Sequence, residues 1–197
     1  ARAVVGQDRF LVGLGGEHSI SAPLIRAVRS HHPRLGVLQL DAHADLRDSF
    51  EGSPANHACV MHRVLDDGVP IAQVGIRSLT AEERALVRDR KVCTVFAPEA
   101  VNEPVERWIG RVLDALPEDV YVTVDLDVFD PAIMPATGTP EPGGLSWYRA
   151  LDVLRAVARV KRIVGFDVVE LAPMPGNVAP DFLAAKLVYK LLGYAFL

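Results

Sequence analysis

The chain alternates short apolar runs with helix-like segments, and several of the runs are apolar throughout rather than at every second position. A strand covered by helices on both faces reads this way, whereas a half-solvated strand alternates. The runs are RFLVGLG (9–15), LGVLQLD (35–41), IAQVGI (71–76), VCTVF (92–96), VYVTVDLD (120–127) and RIVGFDVVE (162–170). Helices are expected near 20–31, 57–67, 80–90, 103–116, 145–160 and 179–195, and Thr80 followed by Glu83 has capping-box spacing. Strand and helix in alternation argue for an α/β chain with a parallel sheet between two helical layers. No repeat, low-complexity tract or linker divides the 197 residues, so a single domain over 1–197 is expected.

Composition removes several classes of function. The net charge is only -4 and no basic run tracks a phosphate backbone, which argues against nucleic acid as a partner. No apolar stretch has the length of a membrane span and no signal-peptide pattern opens the chain, so no membrane partner and a cytoplasmic location are expected. Cys59 and Cys93 lie in separate segments without CxxC spacing and read as reduced thiols. The opening ARAVVGQDRF lacks a methionine, as in a processed product or a fragment.

In an open parallel sheet, ligands bind beyond the carboxyl ends of the strands. Four of the six runs lead into acids or histidines there: Glu17 and His18; Asp41, His43 and Asp45; Asp125 and Asp127; Asp167 and Glu170. If the chain stays extended, alternate residues share a face, which points Asp41, His43 and Asp45 one way and pairs Asp125 with Asp127. With His18 this gives four carboxylates and two imidazoles aimed at one place. Without cations such a cluster repels itself and must take up protons. Two divalent ions balance the four aspartates, and oxygen-rich, thiol-free ligation suits Mn2+ or Mg2+ better than a structural zinc. Taken singly, DLD reads more simply as a turn or helix cap and His18 as a core or loop histidine; DAHAD has no such simple structural account. The Pro- and Gly-rich stretch DPAIMPATGTPEPGG (130–144) follows the acids directly and reads as a functional loop.

GGEHSI (15–20), DAHADLRD (41–48), VTVDLDVFDPAIMPATGTPEPGGL (122–145) and GFDVVELAP (165–173) resemble the signatures of the ureohydrolases, the family of arginase and agmatinase, in the family's order. The resemblance implies a three-layer α/β/α fold with a central, mostly parallel sheet. It also implies two Mn2+ per chain, which hydrolyse a guanidinium group to urea and an amine through a metal-bridging hydroxide. Carried over residue by residue, one ion takes His18, Asp41, Asp45 and Asp125, and the other takes His43, Asp41, Asp125 and Asp127. Glu170 matches the acid that anchors the guanidinium. His57, in SPANHACVMHRV, matches the proton-transfer histidine, and Asp45 would protonate the leaving nitrogen. Ala58 stands where many members have glycine. His62 competes with His57 but reads more simply as a surface-helix histidine.

The loop GTPEPGG, with Thr139 and Glu141 as substrate contacts, looks more like agmatinase than arginase. Acid at the cleft mouth, with Asp48 and Glu51 adding to it, suits dicationic agmatine, whose products are urea and putrescine. Arg47 would suit the carboxylate tail of 4-guanidinobutyrate instead. The family carries a substantial stretch before GGEHS, so this chain is expected to lack the usual N-terminal part, and an inactive, shortened metal-binding relative is the non-enzyme alternative. A homo-oligomer, trimer or hexamer, is implied by the same resemblance. A two-metal phosphoesterase would need a Gly- or Arg-rich phosphate cradle, which the sequence lacks.

Overall fold

The unbroken apolar runs become strands packed on both sides. The computed structural model describes residues 1–7 and 9–196. Its strands are β1 (Leu11–Leu14), β2 (Leu35–Leu40), β3 (Ile71–Ile76), β4 (Cys93–Phe96), β5 (Asp119–Asp125) and β6 (Arg162–Val169). They form one sheet in the order β1-β6-β5-β2-β3-β4, and every pairing is parallel. Every residue of β2 and of β3 is buried.

The helices are α1 (Arg2–Val5), α2 (Ser21–Arg29), α3 (Val60–Asp66), α4 (Ala81–Asp89), α5 (Ala97–Asn102), α6 (Val105–Ala115), α7 (Trp147–Ala158) and α8 (Ala179–Ala195). The pleat sends Val37, Ile71 and Tyr121 into one layer with Ile25 of α2 and Val64 of α3. It sends Leu38, Val74, Val122 and Phe166 into the other, against Trp108 of α6, Leu154 of α7 and Leu187 of α8. Each fully buried side chain such as Leu38 or Phe166 contributes about 1.5–3 kcal/mol over leaving it exposed. Nothing in the sequence pattern announces α5, a short helix with a proline in its first turn, where a missing N–H costs nothing. Among the described residues no helix is long and apolar enough to cross a membrane.

The topology places a crevice. From β2 the chain goes through α3 to β3, toward one edge of the sheet; from β5 it goes through α7 to β6, toward the other. Because β2 and β5 are neighbours and their crossover helices lie on opposite faces, the layers part between their carboxyl ends. The anticipated capping box at α4 is present, with Thr80 Oγ1 accepting from Glu83 N (3.2 Å) and Glu83 Oε2 accepting from Thr80 N (2.7 Å). Glu83 Oε1 also accepts from Leu46 N (2.9 Å), which ties the segment after β2 to this helix.

Candidate metal centre

The four strands that lead into acids and histidines are the adjacent set β1-β6-β5-β2. Their ligands do not converge by strand pleating, as an extended chain would have it. β2 stops at Leu40 and β5 at Asp125, with a 3-10 turn at Leu126–Val128. The same side-chain turn operates at both ends: Asp41 Oδ1 accepts from His43 N (2.6 Å), and Asp125 Oδ1 accepts from Asp127 N (2.9 Å). Ala42 N donates to Asp127 Oδ1 (3.0 Å), stitching the two turns together. Asp45 has φ 55, a left-handed turn. Its carbonyl accepts from Met61 and His62 N, which fixes it over the first turn of α3.

These turns bring the six residues together. His18 Nδ1 lies 3.0 Å from Asp45 Oδ2, 3.2 Å from Asp41 Oδ2 and 3.4 Å from Asp125 Oδ2. His43 Nδ1 lies 2.8 Å from Asp127 Oδ2 and 3.7 Å from Asp41 Oδ1. Two groups have ligand-type atoms within 4.8 Å of one another: His18, Asp41 and Asp125; and Asp41, His43 and Asp127. Asp41 belongs to both.

Behind His18 stands a polar stack inside the sheet. His18 Nε2 is 2.9 Å from Thr123 Oγ1, which donates to Asp167 Oδ1 (2.6 Å), and Tyr121 OH donates to Asp167 Oδ2 (2.8 Å). With its hydrogen on Asp167, Thr123 accepts from Nε2–H, which turns Nδ1 toward three carboxylates that favour a proton there in the absence of a cation. That buried Nδ1 makes no properly angled hydrogen bond. An orphaned imidazole nitrogen inside a ring of carboxylate oxygens fits a divalent cation, and so does a donor set without sulfur. Asp167, expected at the strand end, instead lies within β6, fully buried in this stack.

The charges tell the same story. Burial and the neighbouring Asp41 push the Asp45 carboxyl up to about 7. Burial, with Asp41 and Asp127 beside it, holds Asp125 well above the usual carboxylate range; burial and Asp41 also raise Asp127. Burial opposes charge on His43, but Asp127 and Asp41 outweigh it and lift the imidazole to about 11. Asp41 alone is held low, because His18 and His43 overcome its burial. Without cations the cluster therefore holds protons in their place, and a bound cation would displace them.

Glu170 follows β6 with φ 66, and its Oε1 accepts from His18 N (2.6 Å). His57 is half-exposed, its Nδ1 3.3 Å from Glu17 Oε2 and its ring edge-on to Phe50. His18, His43, Asp45, His57, Thr139 and Glu170 line one cleft of about 270 Å3. Thr139 Oγ1 is 3.4 Å from Asp127 Oδ2. Glu141 stands at the rim, 3.8 Å from His43 Nε2. Asp48 turns away to Arg63 (3.0 Å), and Glu51 is exposed outside the cleft lining. His62 is on a helix, as read, but half-buried rather than on the surface; its Nδ1 is 2.9 Å from Leu46 O, away from the cleft. Cys59 and Cys93 are both free.

Glu17, read as one of the acids after the strands, faces His57. Gln39, Gln73 and Arg77 escape the sequence reading. Gln39 Nε2 donates to Asp41 Oδ2 (2.8 Å), and Gln73 Nε2 donates in turn to Gln39 Oε1 (2.7 Å). Arg77, just past β3, sends its guanidinium to backbone carbonyls of the 127–142 segment. The signal for the glutamines is a buried amide inside an otherwise apolar run, as in LGVLQL and IAQVGI.

A three-layer α/β/α fold with an all-parallel sheet gathers two histidines and four aspartates in its central crevice, a donor set that fits divalent cations. The Arginase family model matches residues 1–193, and the chain belongs to that family. It is 44% identical over 192 residues to the N(1)-aminopropylagmatine ureohydrolase of Synechocystis sp., covering 96% of this chain and 62% of that protein. It is 38% identical over 180 residues to the agmatinase of Pyrococcus horikoshii, covering 91% of this chain and 61% of that one. Among solved structures, the agmatine ureohydrolase of Thermoplasma volcanium superposes with a TM-score of 0.85 at 35% identity, over 98% of this chain and 65% of that one. The arginase of Bacillus caldovelox superposes with a TM-score of 0.86 at 27% identity, over 98% and 71%. The chain spans about 62% of the length of three curated relatives it matches.

Proposed function

We propose that this chain hydrolyses the guanidinium group of a linear guanidine with an amine tail, agmatine first, to urea and putrescine, using two Mn2+. The observation that carries the reading is the pair of ligand groups sharing Asp41 at the floor of a cleft that also holds Glu170. When bound, two such ions supply the positive charge that four aspartates require and an acidified water to attack the guanidinium carbon. Asp125, beside Asp41 in the His18 group, would serve as the second shared ligand, and Asp45 would complete the His18 side. Glu170 binds the guanidinium by charge-assisted hydrogen bonds and turns its carbon toward the metal floor; Thr139 and Glu141 border the tail. Asp45, whose carboxylate also faces the cleft, would take a proton from the attacking water and pass it to the leaving nitrogen. His57, half-exposed at the mouth, exchanges protons with solvent while Glu17 holds its Nδ1. The proposal includes a homo-oligomer, trimer or hexamer, as family resemblance implies.

A second substrate is favoured by one observation: three relatives at 40–44% identity are named N(1)-aminopropylagmatine ureohydrolase. That molecule presents the same guanidinium with a longer cationic tail. Arg47 faces the cleft but lies over the Phe50 ring and 3.9 Å from Glu83, which weakens the case for a carboxylate tail.

The test is urea release from agmatine, N(1)-aminopropylagmatine, 4-guanidinobutyrate and arginine by EDTA-stripped protein reloaded with Mn2+, with Asp127→Ala alongside. Metal-dependent urea from an amine-tailed guanidine, lost in Asp127→Ala, upholds the reading. No urea from any of the four despite bound Mn2+ overturns it in favour of an inactive metal-binding relative.

A further inference from the structure

Arg77 donates to backbone carbonyls across three segments and lines no cavity wall in the cleft. Nη2 reaches Asp127 O (2.7 Å) and Glu141 O (2.8 Å), Nε reaches Pro142 O (3.0 Å), and Nη1 reaches Gly75 O (3.2 Å). Longer contacts run to Val128 O and Phe129 O, both 3.4 Å. Among the described residues no carboxylate lies within ion-pair distance of it. Its own backbone N donates to Ala42 O (2.8 Å), in the turn that carries His43. One residue therefore grips the turn after β2 with its backbone and the loop after β5 with its side chain.

The aim of Arg77 is built into β3. The register slips between Val74 and Ile76, and Gly75 has φ 99. A Cβ there would stand 2.7 Å from Val128 Cγ2 and 3.0 Å from Asp41 O, so only glycine lets the bulge close against both loops. The bulge turns the strand end over the 127–142 loop. A planar fork with five N–H groups is the side chain able to satisfy carbonyls from residues 127, 141 and 142 together; an ammonium is a point donor with three hydrogens.

We propose that Arg77 is the positioning residue of the His43–Asp127 half of the metal centre, holding Asp127 and the Thr139–Glu141 loop in one register. The His18 half rests instead on Thr123, Asp167 and Tyr121, which Arg77 does not touch. The inference deepens the proposed function, since it assumes two cation sites. It also runs against simple electrostatics: removing a nearby positive charge should tighten cation binding at both sites.

The test is Mn2+ titration of EDTA-stripped wild type, Arg77→Met and Arg77→Lys, followed by calorimetry and by the free-ion Mn2+ EPR signal. Hydrogen exchange on the metal-free proteins runs in parallel. Arg77→Met should bind one ion with affinity within about threefold of wild type and the other about 10–100-fold more weakly, the range for groups that orient metal ligands. Arg77→Lys should recover part of that loss, and amide exchange should quicken over 127–145 and not around His18. Equal weakening at both sites, tightening at either, or unchanged exchange over that loop overturns the inference; Arg77→Lys decides if Arg77→Met does not fold. Fewer than two ions in wild type would instead defeat the two-cation reading, and exchange alone would then uphold or overturn the tie between Arg77 and the loop.

Discussion

Asp119 and Asp125 sit at the two ends of β5 and live under opposite electrostatics. Asp119, at the amino end, is 2.6 Å from Arg162 Nε and 2.9 Å from His32 Nδ1. Burial raises its carboxyl somewhat, but His32 and Arg162 prevail and hold it below the ordinary range. Asp125, at the carboxyl end, is more deeply buried and faces Asp41 and Asp127, so both burial and its neighbours push it up. One strand thus carries an acid that the fold has paired and an acid that the fold has left in want of a cation. The difference lies in topology. The amino ends are closed over by complementary side chains, whereas the carboxyl ends of β2 and β5 open where the crossovers part.

The sharpest way to break this comparison is to remove each acid in turn under saturating Mn2+. Asp125→Ala should lose tight binding of at least one ion and lower urea formation by more than about 100-fold, since even groups that merely orient metal ligands cost about 10–100-fold. Asp119→Ala should stay within about threefold of wild type in both respects, because surface substitutions away from the site change little. Equal losses in the two variants would mean that the amino end of β5 is part of the working centre.

Without metal, the order should invert. Asp125→Asn keeps the acceptor for Asp127 N and removes a carboxyl whose charge is unwelcome. It should raise the thermal midpoint in EDTA by at least about 2 °C, the shift that accompanies about 1 kcal/mol in a domain of this size. Asp119→Asn should lower it by less than about 4 °C, in keeping with about 0.2–1 kcal/mol for an ion pair near the surface. A fall in both variants would show that the acids of the centre are satisfied by protein groups alone.

The sheet and the gathering of the six candidate ligands were legible because both are patterns of side chains: unbroken apolar runs, and acids or histidines directly after them. What the spacing missed was how the ligands converge. Asp41 and Asp125 bend the chain over the backbone N–H two residues on, and a turn at Asp45 replaces the extended strand. Asp167 was grouped with the strand-end acids although the run holding it extends to Glu170, and β6, ending at Val169, keeps that acid within the sheet. Arg77 left no trace at all. Its partners are carbonyls, which every residue has, so no spacing in the sequence singles it out.

Acidity should separate the two ends of β5 again in EDTA-treated protein. Asp45 and Asp125 have folded values raised above the unfolded one, so their stabilisation is fully present below about pH 3.9 and is lost as pH rises through the folded values. For Asp45, at about 7, that window runs from about pH 4 to 7. His43, lifted to about 11, adds stability below about pH 6.5 and loses it above. The metal-free midpoint should therefore fall from pH 5 to pH 8, and less steeply in Asp125→Asn. Asp119 has the opposite sign: its contribution is present above about pH 3.9 and vanishes as pH falls through its lower folded value. Asp119→Asn should thus differ from wild type in slope only below about pH 4. A metal-free midpoint that rises from pH 5 to pH 8 would contradict the protonated cluster.

Salt gives the smallest and most selective contrast. The Arg162 side chain is largely exposed, so ions reach the pair it makes with Asp119. Charges in contact with water are screened over about 3 Å at 1 M salt, against about 10 Å at 0.1 M. The cost of Arg162→Ala should therefore shrink from about 0.5 kcal/mol at low salt to a few tenths in 1 M NaCl, measured by urea unfolding. The gain in Asp125→Asn should change by less, because Asp125, Asp41, Asp45 and Asp127 are all nearly fully buried at the floor of the cleft. Screening acts on charges that water already reaches, while the penalty at Asp125 comes from the lack of water. If 1 M NaCl removed that gain as fully as it removes the cost at Arg162, the repulsion would have to run through solvent, and the two ends of β5 would differ in degree and not in kind.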